Sequence, residues 1–329
     1  MARGRLAAAV ALAAVAAGWG AAAWALASPG PAVLARAGGL SLARVSSGLA
    51  FERSLAGVPA VRDLGDDFEF SGSASPQVGY QRVGPAGLTV GVRRHSGGFA
   101  GWFAVTRWAL PAQGVYHVRM SKPPGQLSGP GAQGEAVFAV QTATTKLNGL
   151  INYVVVASRS AGGATSWLVG YAQGRLSHAR LQVLYQTPAS ASAPSSREVS
   201  LATDGRRRLV VCFGRQVVYA SDSLSMDIPA PYQAYLEVQS SGPPYQARFS
   251  DLWVTRGSAV GLAGLGPGQA ALLATPGGQV VAAARGGQAR LELAPGLARG
   301  RGVLWVARGG RRWRLGPFSY WAGDRLRLG

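Results

Sequence analysis

Cysteine is almost absent from this sequence, which has a single one, Cys212, among its 329 residues. No intramolecular disulfide can form, so packing and hydrogen bonds alone must hold the fold. Cys212 lies in the apolar run 209–213, which predicts a buried small side chain and not a reactive thiol. Histidine is rare too: His95, His117 and His178 are far apart in the chain and match no zinc-ligand spacing.

Lysine and acidic residues are also scarce. There are 14 Asp and Glu against 33 Lys and Arg, a formal net charge of +19, and Lys122 and Lys146 are the only lysines. Asparagine is limited to Asn148 and Asn152. Because lysine and asparagine codons are rich in A and T, a GC-rich genome is a sufficient cause of the arginine excess. The arginines are dispersed and no nucleic-acid-binding motif accompanies them, so we predict no nucleic-acid partner. A basic surface still attracts polyanions, including acidic polysaccharides and anionic lipid headgroups.

The N-terminus has the pattern of an export signal. Arg3 and Arg5 precede an apolar run over residues 6–27. Residues 25–27, Ala-Leu-Ala, match the small-x-small pattern of a cleavage site. The run is also longer than the ~7–15 residues of a usual signal peptide and suits a membrane-spanning helix of about 20 residues. Both a cleaved signal peptide and an uncleaved hydrophobic anchor helix remain open.

These features divide the chain into four parts. Residues 1–27 are predicted to be a signal peptide or N-terminal membrane anchor, and residues 28–49 a linker. Residues 50–256 and 257–329 follow as two β-domains. The basic N-terminus should stay in the cytoplasm, so both domains are predicted to be extracellular, either membrane-anchored or secreted after cleavage near Ala27.

Beyond the linker, the sequence predicts an all-β protein. Strand-length runs alternate polar and apolar residues and are separated by turn residues, which is typical of antiparallel sandwiches. In residues 232–238, for example, Gln233 and Glu237 stand apart from the apolar face. The pattern changes near Gly257, where a small immunoglobulin-like β-sandwich is predicted to begin; paired glycines mark its hairpins.

The second domain is the most basic part of the chain. Glu292 and Asp324 are its only acidic residues. Arg312 and Arg314 face outward if Trp313 faces inward. The default interpretation is solvated charge on sheet edges, and the alternative is docking on an anionic envelope polymer.

Three late segments of the first domain carry a resemblance. Residues 209–219, 235–238 and 247–254 resemble the late strands of concanavalin A-like lectin/glucanase jelly rolls, which include laminin-G-like modules. The resemblance implies two curved antiparallel sheets, with glycans bound on the concave face or at the loops.

The resemblance leaves the activity open. The glucanase branch carries Glu-x-Asp-x-x-Glu on one strand, because retaining hydrolysis needs two carboxylates about 5–5.5 Å apart. Glu135, Glu198, Glu237 and Glu292 instead stand alone on their predicted strands. The sequence therefore favours binding without catalysis, and Glu237 is the first catalytic candidate if the protein is an enzyme.

Aromatic residues supply the candidate ligand site. Aromatic faces stack on sugar rings, and nearby amides hydrogen-bond hydroxyl groups. The alternative is that the aromatic side chains fill the space between the two sheets. The predicted ligand-binding residues are Trp102, Trp108, Asn152, Tyr153, Trp167, Tyr171 and Tyr185.

No cofactor is predicted apart from one structural calcium ion. Asp63, Asp66 and Asp67 belong to the only acidic cluster. The resemblance implies a calcium ion held between such an early cluster and the aspartate of the closing strand, here Asp251. The alternative is a solvated loop, or pairing with nearby arginines.

Taken together, these patterns predict an exported cell-surface or secreted protein that binds a glycan or another envelope component. Two alternatives remain open: an extracellular glycan-active hydrolase with an atypical acid pair, and a structural envelope protein. The sequence predicts membrane association only through the N-terminal segment.

Expressed with its own N-terminus, the protein is expected in the membrane or culture-fluid fraction, because a basic start before an apolar run directs export. N-terminal sequencing distinguishes the two outcomes: a chain that begins at Ser28 was cleaved, and an intact one is anchored. Recovery of the intact chain from the cytosol alone would contradict the prediction.

Overall fold

The computed structural model describes residues 31–96, 98–123, 127, 131–143, 150–175, 181–286 and 290–329. The predicted leader, residues 1–27, and its hydrophobic helix lie outside these ranges and stay a prediction. Within them, no helix is long and apolar enough to cross a membrane. The helical elements there are two short 3₁₀ turns, Val61–Leu64 and Pro295–Leu297.

Strands form because apolar side chains recur at every second position. In β16 (Tyr232–Ser240), the buried residues alternate with half-buried ones along the whole strand. A strand sends successive side chains to opposite faces, so this period places one apolar row toward a core. The prediction of an all-β, antiparallel sandwich is confirmed.

Two large antiparallel sheets make up the main domain. The front sheet has seven strands, in the order β12 (Gln182–Gln186), β11 (Ala164–Arg175), β10 (Leu150–Ala161), β9 (Gln133–Thr142), β16, β7 (Ala100–Thr106) and β4 (Phe68–Gly72). The back sheet has the order β15 (Gln216–Ser221), β14 (Leu209–Phe213), β13 (Ser196–Thr203), β8 (Val115–Ser121), β17 (Tyr245–Thr255), β6 (Gly87–Val92) and β5 (Gly79–Gly84), with β3 (Leu49–Arg53) paired to β17.

The chain passes repeatedly between these sheets, as in a jelly roll. Strands β6 and β8 belong to the back sheet, whereas β7 and β9 belong to the front sheet. One continuous apolar core fills the space between them, and Phe138, Leu236 and Phe249 are completely buried in it. Each fully buried side chain of this size contributes roughly 1.5–3 kcal/mol to folding.

A smaller pair of sheets packs around a second core. One sheet has the order β1 (Ala32–Ala37), β2 (Leu40–Ser46), β24 (Arg325–Leu328), β18 (Ala259–Ala263) and β21 (Arg290–Glu292). The other has the order β20 (Val280–Arg285), β19 (Ala270–Ala274), β22 (Arg299–Arg308) and β23 (Arg311–Trp321). A small two-sheet module is therefore present, and its immunoglobulin-like character stays a prediction.

The linker prediction for residues 28–49 is wrong over residues 32–46, which form β1 and β2. Strand β2 pairs antiparallel with the C-terminal strand β24. Leu42 is completely buried in the second core, and Leu34 and Leu40 pack against it. These leucines would expose apolar surface in a solvated linker, so hydrophobic burial draws both ends of the described chain into one sheet.

Asp324 fixes that junction. Its carboxylate is completely buried and accepts hydrogen bonds from the Gly48 backbone nitrogen at 2.6 Å and the Trp321 backbone nitrogen at 3.0 Å. Arg44 donates from Nε at 3.2 Å. A buried charge is tolerated only when it is paired and hydrogen-bonded in this way.

Aromatic stacking joins the small module to the back sheet. His117 on β8 stacks on Trp253 of β17, with ring centroids 4.5 Å apart, and Trp253 meets Trp321 of the small module edge-on at 5.4 Å. Arg299 lies over Trp321 and pairs with Glu52 at 3.1 Å. Residues 31–329 accordingly form one compact unit.

The Asp324→Ala variant is expected to lose about 3–5 kcal/mol of unfolding free energy, because Arg44 and two backbone N–H groups lose their buried partner. Urea denaturation measures the change. The exposed Asp222→Ala is the matched control and should change stability by less than about 0.5 kcal/mol. Equal stability of the two variants would show that Asp324 does not hold the junction.

Candidate functional site

Four of the predicted ligand-binding residues are buried. Trp102, Trp167 and Tyr171 belong to the core between the large sheets. Trp102 donates through Nε1 to Gln81 at 2.7 Å. Asn152 is also buried, and its side-chain oxygen accepts from the Gly174 backbone nitrogen at 3.3 Å. The three aromatic side chains therefore pack between the sheets, which is the alternative to ligand contact that the sequence analysis left open.

The other three predicted residues lie apart from one another. Tyr185 pairs with Val169 and packs against the edge of the core. Trp108 is 51% exposed and lines a cleft beyond the end of β7, where its Nε1 donates to Asp67 at 3.2 Å. Tyr153 alone lies on the outer face of the front sheet, which is the face turned away from the core.

That outer face collects polar and aromatic side chains from neighbouring strands. On β16 the outward row is Gln233, Tyr235, Glu237 and Gln239. Cross-strand pairing sets Glu237 beside Phe103 of β7 on one side and Val137 of β9 on the other. Glu135 pairs with Gln239 on one side and Arg159 on the other. We call this surface the front face: Phe103, Glu135, Tyr153, Arg159, Tyr235, Glu237 and Gln239.

Small and medium apolar residues form the floor beside these groups. Val137, Ala139, Val155, Ala157 and Leu168 make a separate buried cluster, against which Tyr153 and Tyr235 pack. The phenol rings therefore stand beside an apolar floor. Apolar side chains next to a polar group exclude water on that side and strengthen its electrostatic interactions there.

Glu237 is the electrostatic centre of the front face. Burial raises the pKa of its carboxyl group from 4.5 to about 7. Hydrogen bonds from the Gln239 and Tyr235 side chains favour the ionised form and oppose this rise, whereas the negative charge of Glu135 adds to it. Glu237 is therefore close to half-protonated at neutral pH, which suits a group that gives or takes a proton there.

Gly101 leaves the space that the carboxylate occupies. A Cβ atom at this position would lie 2.5 Å from Glu237 Oε1, closer than non-bonded atoms approach. Gly101 is the cross-strand partner of Gln239. A larger residue at this point of β7 would make the Glu237 carboxylate shift from its present position.

Glu135 and the aromatic rings complete the surface. Arg159 donates from Nε to Glu135 at 2.6 Å, so this second carboxylate has a cationic partner beside the first. Phe103 and Tyr235 have ring centroids 4.6 Å apart. Burial raises the pKa of the Tyr153 and Tyr235 phenols above the usual value, so both remain hydrogen-bond donors at neutral pH.

The predicted calcium site does not fit the structure. No group of three potential ligand residues comes together in the part of the chain that the structure describes. Asp63 accepts from the Ala60 backbone nitrogen, and Asp67 pairs with Arg53 at 3.0 Å. Asp251 pairs instead with Arg299, with 3.4 Å between Asp251 Oδ1 and Arg299 Nη1. Asp66 is exposed.

A serine, a histidine and an aspartate also meet on the back sheet. His117 Nδ1 lies 2.8 Å from Ser200 Oγ, and His117 Nε2 lies 3.6 Å from Asp251. The serine is only 2% exposed, so its oxygen cannot reach a substrate. Asp251 adopts a positive φ of 55° beside an irregularity in the pairing of β17 with β8, which turns its side chain toward His117.

Sequence reasoning had singled out Glu237 and Tyr153 but missed Phe103, Glu135, Arg159 and Tyr235 as their neighbours. The period of two identifies Tyr235 as a residue on the same face as Glu237, and this signal was present in the sequence. The neighbours on β7, β9 and β10 follow from strand order and register, which the sequence does not contain.

No family model and no curated relative matches this chain. Among solved structures, LamAcat from Zobellia galactanivorans is 13% identical, over 63% of this chain and 97% of that one, with a TM-score of 0.42. The endo-1,3-beta-glucanase from Streptomyces sioyaensis is 13% identical, over 64% of this chain and 97% of that one, with a TM-score of 0.40. The carbohydrate-binding module CBM66 from Bacillus subtilis is 10% identical, over 56% of this chain and 94% of that one, with a TM-score of 0.36. Such values carry no activity over to this chain, so its function is argued from its own residues.

Glu237 is expected to make the protein less stable as the pH rises. Its folded-state pKa of about 7 lies above the ordinary value of 4.5. The folded protein therefore binds the extra proton, and its stabilising effect is lost between about pH 4.5 and pH 7. Thermal unfolding at pH 5 and pH 8 should show this loss in the native protein and not in Glu237→Gln.

The control is Glu292→Gln, which changes an exposed glutamate of the small module. It should follow the native protein at both pH values. An equal pH response of Glu237→Gln and the native protein would contradict the raised pKa.

Proposed function

We propose that the protein is an exported glycan-binding protein whose site is the front face. The observation that carries the proposal is the meeting of an aromatic pair, Phe103 and Tyr235, with the hydrogen-bonding groups of Glu237, Glu135 and Arg159. A sugar ring has apolar C–H faces and a rim of hydroxyl groups. Binding it requires an aromatic surface and convergent donors and acceptors in the same place.

The chemistry of the face suits uncharged sugars. Glu135 is balanced by Arg159, and Glu237 is partly neutral at pH 7, so little net charge faces the ligand. The carboxylates accept hydrogen bonds from hydroxyl groups, whereas the Tyr153 phenol and the Gln239 amide donate them. Rigid strands carry every one of these groups, which keeps the loss of conformational entropy on binding small.

Tyr235→Leu is expected to weaken binding of the glycan about tenfold or more, equivalent to about 1.4 kcal/mol, since it removes both a stacking ring and a donor to Glu237. An array of neutral glycans identifies the ligand, and titration calorimetry measures the affinity. Trp108→Ala is the control because Trp108 is exposed but lies outside the front face. Loss of binding in Trp108→Ala with full binding in Tyr235→Leu would place the ligand in the Trp108 cleft and overturn the proposal.

A second candidate function, glycoside hydrolysis, is favoured by the pair Glu237 and Glu135. On β9, Glu135 is followed at the outward positions by Val137, Ala139 and Gln141, so this strand supplies one outward carboxylate. The second carboxylate, Glu237, comes from the neighbouring strand β16. Diagonal neighbours on adjacent strands, as Glu237 and Glu135 are, lie about 7–8 Å apart, with their Cβ atoms somewhat closer. Two carboxyl groups separated by about 6.5–9.5 Å act as general acid and base in inverting glycosidases, and a pKa near 7 suits the acid.

Release of reducing ends from the glycan found on the array distinguishes hydrolysis from binding. Hydrolysis predicts that activity declines as the pH rises above about 7, because Glu237 loses its proton, and that Glu237→Gln abolishes it. Unchanged sugars after prolonged incubation support binding without catalysis.

A further inference from the structure

The outer face of the four-stranded sheet in the small module carries a tryptophan together with three arginines. Trp305 on β22 pairs with Leu272 on β19 and with Arg314 on β23. The inner face of this sheet is occupied by the second core, so these side chains point outward. The adjacent outward row crosses all four strands in the order Arg285, Ala270, Ala307 and Arg312.

A depression of about 440 Å³ lies in this face. Trp305 is 37% exposed and forms part of its lining. Because alanine side chains are short, the alanines make a low floor beside the indole ring and the guanidinium groups. The remaining lining side chains that point outward are Ala270, Leu272, Ala283, Arg285, Ala307 and Arg312.

Positive charge on this face is not balanced. Within the described ranges, Arg285, Arg312 and Arg314 have no carboxylate partner. The only acids of residues 257–329 are already engaged: Asp324 is buried, and Glu292 pairs with Arg290 at 3.0 Å. Guanidinium groups bind carboxylates through paired hydrogen bonds, so an anion is the complementary ligand.

We propose that this surface, the Trp305 face (Leu272, Ala283, Arg285, Trp305, Arg312 and Arg314), binds an acidic polysaccharide whose sugar rings carry carboxylate groups. A ring stacks on the indole, and the carboxylates pair with the arginines. Strands β20 and β23 lie three strand spacings apart, about 14 Å, so arginines on both can hold one chain laid across the sheet. The site is separate from the front face and does not depend on it.

A polysaccharide suits this geometry better than an anionic bilayer does. Proteins that bind a bilayer surface insert apolar side chains that project from their own surface. Trp305 instead lies beside a depression and between Leu272 and the charged Arg314. A recess of this kind receives a ring or a chain, whereas a flat membrane would leave it unfilled.

The test uses the whole chain and immobilised polygalacturonate, a linear polymer of carboxylate-bearing sugars. Trp305→Ala and the pair Arg312→Gln/Arg314→Gln should each weaken binding about tenfold or more. The matched control is Arg206→Gln/Arg207→Gln, which removes the same charge from an exposed hairpin of the main domain. It should change the affinity less than twofold. Fully methyl-esterified polymer, which keeps the rings and loses the charge, should not bind.

Four results would overturn the proposal. Equal losses in the two arginine pairs would show general charge attraction and no defined site. Full binding by Trp305→Ala would exclude ring stacking. Capture of the native protein by vesicles of equal parts phosphatidylcholine and phosphatidylglycerol, lost in Trp305→Ala, would identify a membrane surface. Loss of polygalacturonate binding in Tyr235→Leu would move the ligand to the front face; unchanged binding there, as expected, keeps the two proposals distinguishable.

Discussion

Burial of one apolar row from every strand, between the front and back sheets, is the constraint on which the rest of the structure depends. With no disulfide available, this core and the backbone ladders hold the main domain together. Successive side chains of a strand point to opposite faces, so burying one row determines that the residues between them face outward. Once Leu236 and Val238 point inward, Glu237 must point outward, and a slip of one residue would bury its carboxylate in the core.

The front face follows from this constraint together with local space. The apolar cluster that begins beside Glu237 at Val137 and the missing side chain at Gly101 leave room for the carboxylate close to the sheet, where water is partly excluded. Desolvation then raises its pKa toward neutrality, and Glu135 adds a second charge that Arg159 compensates. The proposed hydrogen bonding to glycan hydroxyl groups and, in the second candidate function, the transfer of a proton both depend on this arrangement.

The small module adds a surface of different chemistry. The front face is nearly charge-balanced, whereas the Trp305 face presents arginines without acidic partners among the described residues. Arg299, Trp321, Trp253 and His117 form a continuous contact between the module and the back sheet. The two proposed surfaces, on one compact unit, would let the protein engage a neutral and an acidic glycan at the same time.

The sequence by itself determined the strand-rich fold and the outward position of Glu237, because a period of two is a local property of the chain. The same alternation also predicted that Arg312 and Arg314 face outward, away from the buried side chains. It did not show that residues 32–46 pair with the C-terminal strand, that Asp324 holds this junction, or that Trp102 and Trp167 lie inside the core. The tertiary structure decided these points, since strand order, register and the choice of face to bury depend on contacts between residues far apart in the chain.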